Sequence, residues 1–292
     1  MATLAEWVEG ARPRTLPAAL APVLAGSAVA WFEHSFSPLL AGLALIVALA
    51  LQVGVNFAND YSDGIRGTDA ARVGPLRLVG SGAAEPRHVR AAAFACFGLA
   101  GVAGLAVVWI TGHWWLLAVG AAAIAAAWYY TGGSRPYGYL GLGELFVFIF
   151  FGLVAVTGTV YIQVGRISPA TWWTAVAIGA LACAILVANN LRDIEGDRVA
   201  GKRTLATRLG DSGTRWFFCG LLVVAAVGVF GVAATSSWWA LLGWLMLVLL
   251  VGPILQVARG VTGRGLIPVL KQTGLAELAC AAGLFVGLLI AR

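Results

Sequence analysis

The sequence predicts an all-α, polytopic membrane protein with nine transmembrane helices. Three observations carry that expectation. The 292 residues are 60% hydrophobic and only 11% charged, with a mean hydropathy of +0.89, whereas soluble domains carry roughly a quarter charged residues. The apolar residues come in runs of roughly 20, the length a helix needs to cross the hydrocarbon core. Seventeen of the 19 cations then fall on one side of the alternating connectors, which is the positive-inside pattern. The same composition excludes intrinsic disorder, which cannot accommodate so much apolar side chain. The net charge of +6 therefore reports orientation, and no nucleic-acid partner is expected.

The nine spans are read at about 15–32, 38–59, 89–110, 114–130, 143–164, 170–190, 215–235, 237–258 and 270–290. Helices are the required form, because lipid cannot satisfy backbone groups and the runs exceed barrel-strand length. The first span follows Arg12 and Arg14 and ends near Ala28-Val29-Ala30, an imitation of a secretory signal. Glu6, Glu9, Pro17 and Pro22 argue instead for a retained helix, with residues 2–11 as a short interfacial segment. Breaks between spans hold Gly, Pro, Ser and charge, as at Thr235-Ser236-Ser237. Trp114-Trp115, Trp172-Trp173 and Trp238-Trp239 mark span ends as interfacial belt residues. The four cysteines lie inside apolar spans without CxxC spacing and read as small buried hydrophobes. In this topology the N-terminus is cytoplasmic and the C-terminus outside, with only Arg166 and Arg292 among the outer cations.

Spans one to four (about 15–130) and five to eight (about 143–258) read as two copies of a four-helix unit in one membrane-embedded domain, followed by the ninth helix. The reason is a pair of acidic clusters at matching places. Asn56, Asn59, Asp60 and Asp63 end the second span, and Asn190, Asp193, Glu195 and Asp197 end the sixth. Each is expected to open one of the two longest loops, residues 61–88 and 191–214. At about 100° per residue, Asn56, Asp60 and Asp63 lie within roughly 60° of one another on a helix, as do Asn190, Asp193 and Asp197. Boundary carboxylates either pair with loop cations or hold something positive. Mg²⁺ suits them, since it takes one or two carboxylates plus waters and substrate phosphates. Two such faces would hold Mg²⁺ on a diphosphate. Arg77 follows the first cluster, and Lys202 and Arg203 the second; they could bind outer phosphate oxygens or simply enforce topology. The loop from Tyr129 to Glu144 carries five glycines, four tyrosines and Arg135. Its Tyr130 and Tyr139 can shield a carbocation, stack on a flat acceptor, or anchor the interface.

With these residues in view, the chain resembles the UbiA superfamily of intramembrane aromatic prenyltransferases over nearly its whole length. Asn59-Asp60-Tyr61-Ser62-Asp63 resembles its NDxxD motif, and Asp193-Ile194-Glu195-Gly196-Asp197 its DxxxD motif. Gly67 stands where the family carries a further Asp, and Asp69 lies two residues on, displaced from that position as a metal ligand. Gly74-Pro75-Leu76-Arg77, Gly141-Leu142-Gly143-Glu144, Val147–Gly152 and Asn189–Asp193 are similar to the menaquinone-pathway branch. The resemblance implies a bundle whose cavity opens sideways to lipid beneath a cytosolic polar cap. It implies transfer of a polyprenyl group from polyprenyl diphosphate to 1,4-dihydroxy-2-naphthoate, with loss of diphosphate and CO₂, at the cytoplasmic membrane. Asp60, Asp63, Asp193 and Asp197 would hold Mg²⁺ directly or through water. Asn56, Asn59 and Asn190 would orient carboxylates or phosphate, and Lys202, Arg203 and Arg77 would neutralise the leaving group, with Tyr130, Arg135 and Tyr139 as further substrate contacts. Another branch, using 4-hydroxybenzoate or haem, is the nearest alternative. A cation-coupled transporter would carry its ionisable groups near the midplane, where only Glu277 interrupts the apolar spans.

Overall fold

The computed structural model describes residues 2–67 and 76–292, and all regular structure in them is helical. The helices are α1 (Leu4–Gly10), α2 (Pro17–Phe32), α3 (Pro38–Arg66), α4 (Pro86–Thr111), α5 (Leu116–Tyr129), α6 (Gly143–Val164), α7 (Pro169–Val199), α8 (Leu205–Thr235), α9 (Trp238–Ala258) and α10 (Gly263–Ile290). Among the described residues, seven are long and apolar enough to cross a membrane, namely α3, α4 and α6 to α10. The amino-terminal segments Leu4–Thr15 and Pro17–Phe32 form a pair bent by 49° that supplies an eighth candidate. The run expected at 114–130 is a helix of 14 residues, roughly 21 Å at 1.5 Å per residue, because Trp114 and Trp115 form a turn before it starts. The chain is thus a multi-pass helical membrane protein.

Local chemistry sets the helix ends. Ser37 caps α3 by accepting from the Leu40 amide, with Pro38 in the first turn. Ser168 and Thr171 form a reciprocal box at the start of α7, followed by Pro169. Gly67, with φ 70°, closes α3 in a left-handed conformation that a side chain would resist. Two expectations change here. The helices that carry the acidic clusters outlast their expected spans, α3 running on to Arg66 and α7 to Val199, so the clusters do not open loops; hydropathy falls where the helices leave the apolar layer, but their hydrogen bonding continues. The span expected at 215–235 is the last part of α8, which begins at Leu205 and breaks at Gly210, where φ is 72° and ψ −179°.

Two apolar clusters form the core. The larger joins α2, α6, α7, α8, α9 and α10 around Ile178, Leu181, Phe218, Met246 and Leu284. The smaller, Phe57, Leu78, Val89, Ala93 and Phe97, joins α3 to α4 and to the segment around Leu78. Small residues let α10 press on the start of α9: a side chain at Gly283 or Gly287 would collide with the Leu242 or Trp239 carbonyl. Inside α6, residues Phe148–Val154 adopt a π-helix. That widened turn brings Gly152 against Gly179 of α7, where a Cβ would come within 2.6 Å of the Gly179 Cα. It also leaves Phe150, Phe151 and Val154 lining a cavity between the two clusters.

Candidate active site

The cavity has a volume of about 660 Å³. One end is polar and the rest apolar, lined by α2 to α7. Leu105 of α4 and Leu117 of α5 line it while remaining 48% and 43% exposed, so this wall opens on the outer surface of the bundle. The polar end collects residues from three loops and two helix ends: Asn56, Asn59, Asp63, Arg77, Tyr130, Tyr139, Asn190, Asp193, Asp197 and Lys202 all line it.

Asp63 is its hub. The Tyr139 hydroxyl donates to Asp63 Oδ1. Arg77 and Lys202 each place a nitrogen 3.7 Å from Asp63 Oδ2, all three side chains being about nine-tenths buried. Lys202 Nζ also sits 4.7 Å from the Tyr139 ring centroid. Arg66 donates to the carbonyls of Thr131 and Gly133, and the Arg203 amide donates to the Tyr139 carbonyl at 3.0 Å. The loop after α5 is thereby tied to both α3 and the segment after α7. Burial pushes the Tyr130 phenol far above its ordinary range, helped by the nearby carboxylates Glu144, Asp63 and Asp197; burial alone does the same for Tyr137. Both rings are therefore neutral.

The structure places the other expected residues unequally with respect to the cavity. Asp60 is 1% exposed and does not line the cavity. Its two oxygens accept from the Leu78 amide at 2.7 Å and the Val79 amide at 3.0 Å. The bearing explains this: Asn56, Asn59 and Asp63 span roughly 60° of the α3 wheel, and Asp60 lies about 40° beyond that arc. Asn59 and not Asp60 accompanies Asp63 on the cavity face. The Asn56 amide donates to the Ala11 carbonyl at 2.9 Å and to Thr15 Oγ1 at 3.0 Å, so it holds the amino-terminal bend. Asp193 lines the cavity, but Arg192 grips both its oxygens at 2.6 and 2.7 Å. Arg135 and Arg203 are exposed and outside the lining; Arg203 contributes its backbone, with its side chain directed away. Asp69, and the Gly74-Pro75 of the sequence pattern, lie outside the described residues.

Other residues enter unannounced. Arg12 lines the cavity from a left-handed backbone position, φ 55°. Thr15 Oγ1 takes bonds from Gln52 as well as Asn56. Buried Thr131 donates to Asn59 Oδ1 at 2.8 Å, and Asn189 joins the lining. Arg12 has a sequence signal, an Arg-Pro-Arg-Thr run before the first long helix; Thr131 has none beyond its place in the glycine-tyrosine loop.

The oxygen donors suit a hard cation. Among the described residues, however, no three Asp, Glu, His or Cys side chains are grouped closely enough to hold a metal by themselves. That fits Mg²⁺ only as a companion of a phosphate ligand, since the ion keeps several waters and takes few protein ligands.

The UbiA prenyltransferase family matches residues 19–265. A Mycobacterium tuberculosis protein named 1,4-dihydroxy-2-naphthoate octaprenyltransferase is 54% identical over 96% of each chain. The Escherichia coli protein of the same name is 40% identical over 91% of this chain and 89% of its own. Among solved structures, an apo UbiA homolog from Aeropyrum pernix superposes with a TM-score of 0.72 over 96% of this chain and 98% of its own, at 16% identity. One from Archaeoglobus fulgidus, bound to GPP and Mg²⁺, gives 0.69 over 97% and 99%, at 15% identity. With the fold, the cavity and these relatives in agreement, the chain belongs to the UbiA prenyltransferase family.

Proposed function

We propose that this protein transfers a polyprenyl group from polyprenyl diphosphate to 1,4-dihydroxy-2-naphthoate, releasing diphosphate and CO₂ to give demethylmenaquinol, the reduced form of demethylmenaquinone. The observation that carries this reading is one continuous cavity with Asn59, Asp63, Asp193, Asp197 and Lys202 at one end and apolar helices along the rest. Such a shape suits a ligand with a polyanionic head and a long hydrocarbon tail. The names of the 54% and 40% identical relatives support the naphthoate as acceptor. The nine crossings are α2 to α10, with α5 the shortest, and α2–α5 and α6–α9 form the two repeats. The polar end, the N-terminus and the loops around it face the cytoplasm, and the C-terminus lies outside.

The residues that would hold Mg²⁺ are Asn59, Asp63, Asp193 and Asp197, and when bound the ion neutralises developing charge on the diphosphate. Lys202 and Arg77 bind the phosphate oxygens and stabilise the leaving group. Tyr139 fixes Asp63, and Arg12 adds a further cation at the cavity wall. As the allylic C–O bond breaks, its electron pair leaves with diphosphate. The electron-rich naphthoate ring carbon that bears the carboxylate forms the new C–C bond, and loss of CO₂ returns the electron pair to the ring. Neutral Tyr130 and Tyr137, with Phe146 and Phe150, present ring faces to the cation and exclude water. The test is to incubate purified protein with Mg²⁺, labelled polyprenyl diphosphate and either the naphthoate or 4-hydroxybenzoate. Prenylation with CO₂ release from the naphthoate alone is expected, and turnover of 4-hydroxybenzoate in its place would refute the assignment.

A further inference from the structure

Glu144 takes no part in the scheme above, yet it is 6% exposed and lies directly behind the cavity wall. It occupies the first turn of α6. Its Oε1 accepts from Asn190 Nδ2 at 2.9 Å, its Oε2 has no hydrogen-bond partner among the described residues, and its carbonyl accepts from Cys183 Sγ at 3.1 Å. Cys183 and Asn190 are seven residues apart, on one face of α7 two turns from each other. The start of α6 is therefore fastened to α7 at two levels, with the upper fastening ending on a cavity residue.

This contact settles which way the Asn190 amide points. The Asn190 NH₂ is the group that meets Glu144 Oε1, and that carboxyl oxygen accepts it whether or not Oε2 carries a proton. The carbonyl oxygen of Asn190 is then the group left to face the cavity, where Asn190 lies in the lining. Without Glu144 the amide could rotate and offer a donor instead. Of the organic ligands in the proposed reaction, the ionised diphosphate and the isoprenoid carry no hydrogen to donate, whereas the dihydroxynaphthoate carries two phenolic O–H groups. Flat apolar surface stands beside this acceptor. Tyr137 stacks on Phe146 at 4.1 Å between centroids, Tyr130 meets Tyr137 edge-on at 5.5 Å, and Phe146 continues to Phe150 at 6.2 Å. All four rings line the cavity, and Tyr130 reaches to α6, where a Cβ on Gly143 would come 3.5 Å from its hydroxyl.

We infer that Glu144 is a positioning residue that holds Asn190 as a hydrogen-bond acceptor for a phenolic hydroxyl of the aromatic substrate. This rests on the prenyl-transfer reading and adds the place where the acceptor's hydroxyl is recognised. Three variants test it, each checked for folding by circular dichroism and thermal melting. In E144L the acceptor for the amide is gone, in E144Q an amide oxygen remains to receive it, and N190L removes the cavity-facing group itself. In steady-state assays, E144L and N190L should raise the KM for 1,4-dihydroxy-2-naphthoate about tenfold, the value of one hydrogen bond made by a buried polar group. The KM for prenyl diphosphate and the half-saturating Mg²⁺ should change less than about threefold. E144Q should stay near the parent. Calorimetric binding of 1-hydroxy-2-naphthoate and 4-hydroxy-2-naphthoate, each against 2-naphthoate, gives a readout independent of turnover: the parent should prefer at least one hydroxylated compound, and E144L should lose the preference. If E144L fails to fold, N190L carries both comparisons. The inference is overturned if discrimination persists in E144L or N190L, or if the parent shows none. A shift confined to the Mg²⁺ requirement would also overturn it, by assigning Asn190 to a metal-bound water. Should the parent turn over no naphthoate, the functional reading fails, while the binding comparison still decides whether Glu144 sets hydroxyl recognition.

Discussion

Asp60→Asn separates a scaffold carboxylate from a metal ligand. In the folded protein Asp60 accepts from the Leu78 and Val79 amides at 2.7 and 3.0 Å and is 1% exposed. Asparagine keeps one acceptor oxygen and sets an NH₂ against the other backbone N–H. One charge-assisted bond is lost and a buried donor is left unpaired, at a cost of about 2–3 kcal/mol. Asp60→Ala removes both acceptors and should cost about 4 kcal/mol by the same reckoning. The Leu78 turn carries Arg77, so turnover should fall as well, but the response to Mg²⁺ should not. The assay pairs a thermal melt of the purified protein in detergent with prenyl transfer across a Mg²⁺ titration. Expected are a lower melting temperature, a lower kcat and a half-saturating Mg²⁺ within about threefold of the parent. A melting temperature equal to the parent's, together with a tenfold higher Mg²⁺ requirement, would refute the reasoning and return Asp60 to the ligand set.

Asp63→Asn should do the reverse, cutting turnover about a hundredfold or more at any Mg²⁺ concentration, because it removes the carboxylate shared by Tyr139, Arg77 and Lys202; near-parental rates would sink its assignment. Lys202→Met should raise the KM for prenyl diphosphate about tenfold or more while leaving that for the naphthoate within about threefold, read from initial rates with each substrate varied in turn. The pH response of stability follows from Tyr130 and Tyr137, whose folded-state values lie above the ordinary phenol value of 10.0. Below that value both states keep the proton and nothing changes. Above it the unfolded chain ionises first, so stability should fall as pH rises from about 10. Tyr137→Phe should soften that alkaline loss in a melt-versus-pH series, and an unchanged slope would count against the burial argument.

Much of this was legible in the sequence because a bilayer leaves so few options. Apolar length located the long helices, and the spacing of the carboxylates placed both clusters on helix faces before any packing was known. What hydropathy could not give was the end of a helix that outruns the membrane, as α3 and α7 do through Arg66 and Val199. Nor could spacing decide between Asn59 and Asp60. Both sit on the same broad arc, and the direction of the cavity relative to that arc is fixed by how α3 meets α4 and the 78–79 turn. The choice between Lys202 and Arg203 was hidden for a related reason. The Lys202 amide bonds to the Asp197 carbonyl and the Arg203 amide to the Tyr139 carbonyl, and that turn sends the neighbouring side chains opposite ways. The Arg-Pro-Arg-Thr run marks Arg12, but nothing in that run announces the left-handed backbone from which Arg12 lines the cavity, so by sequence it reads as a topological charge.

The sharing of Asp63 between Arg77 and Lys202 bears on how the reaction cycle ends. A polyanion arriving at these cations has to compete with a carboxylate already in place, which lowers the grip on any anion that binds. At an ion-pair separation of 3.7 Å each contact corresponds to a Coulomb energy of about 4 kcal/mol at an effective dielectric of 20, before desolvation is subtracted. The same carboxylate stands ready to recapture both side chains when diphosphate departs. A site whose cations had no such internal counter-ion would hold the departing diphosphate more firmly and release it more slowly. In the proposed reaction, Asp63 would thus give the diphosphate a way out as well as a place to bind.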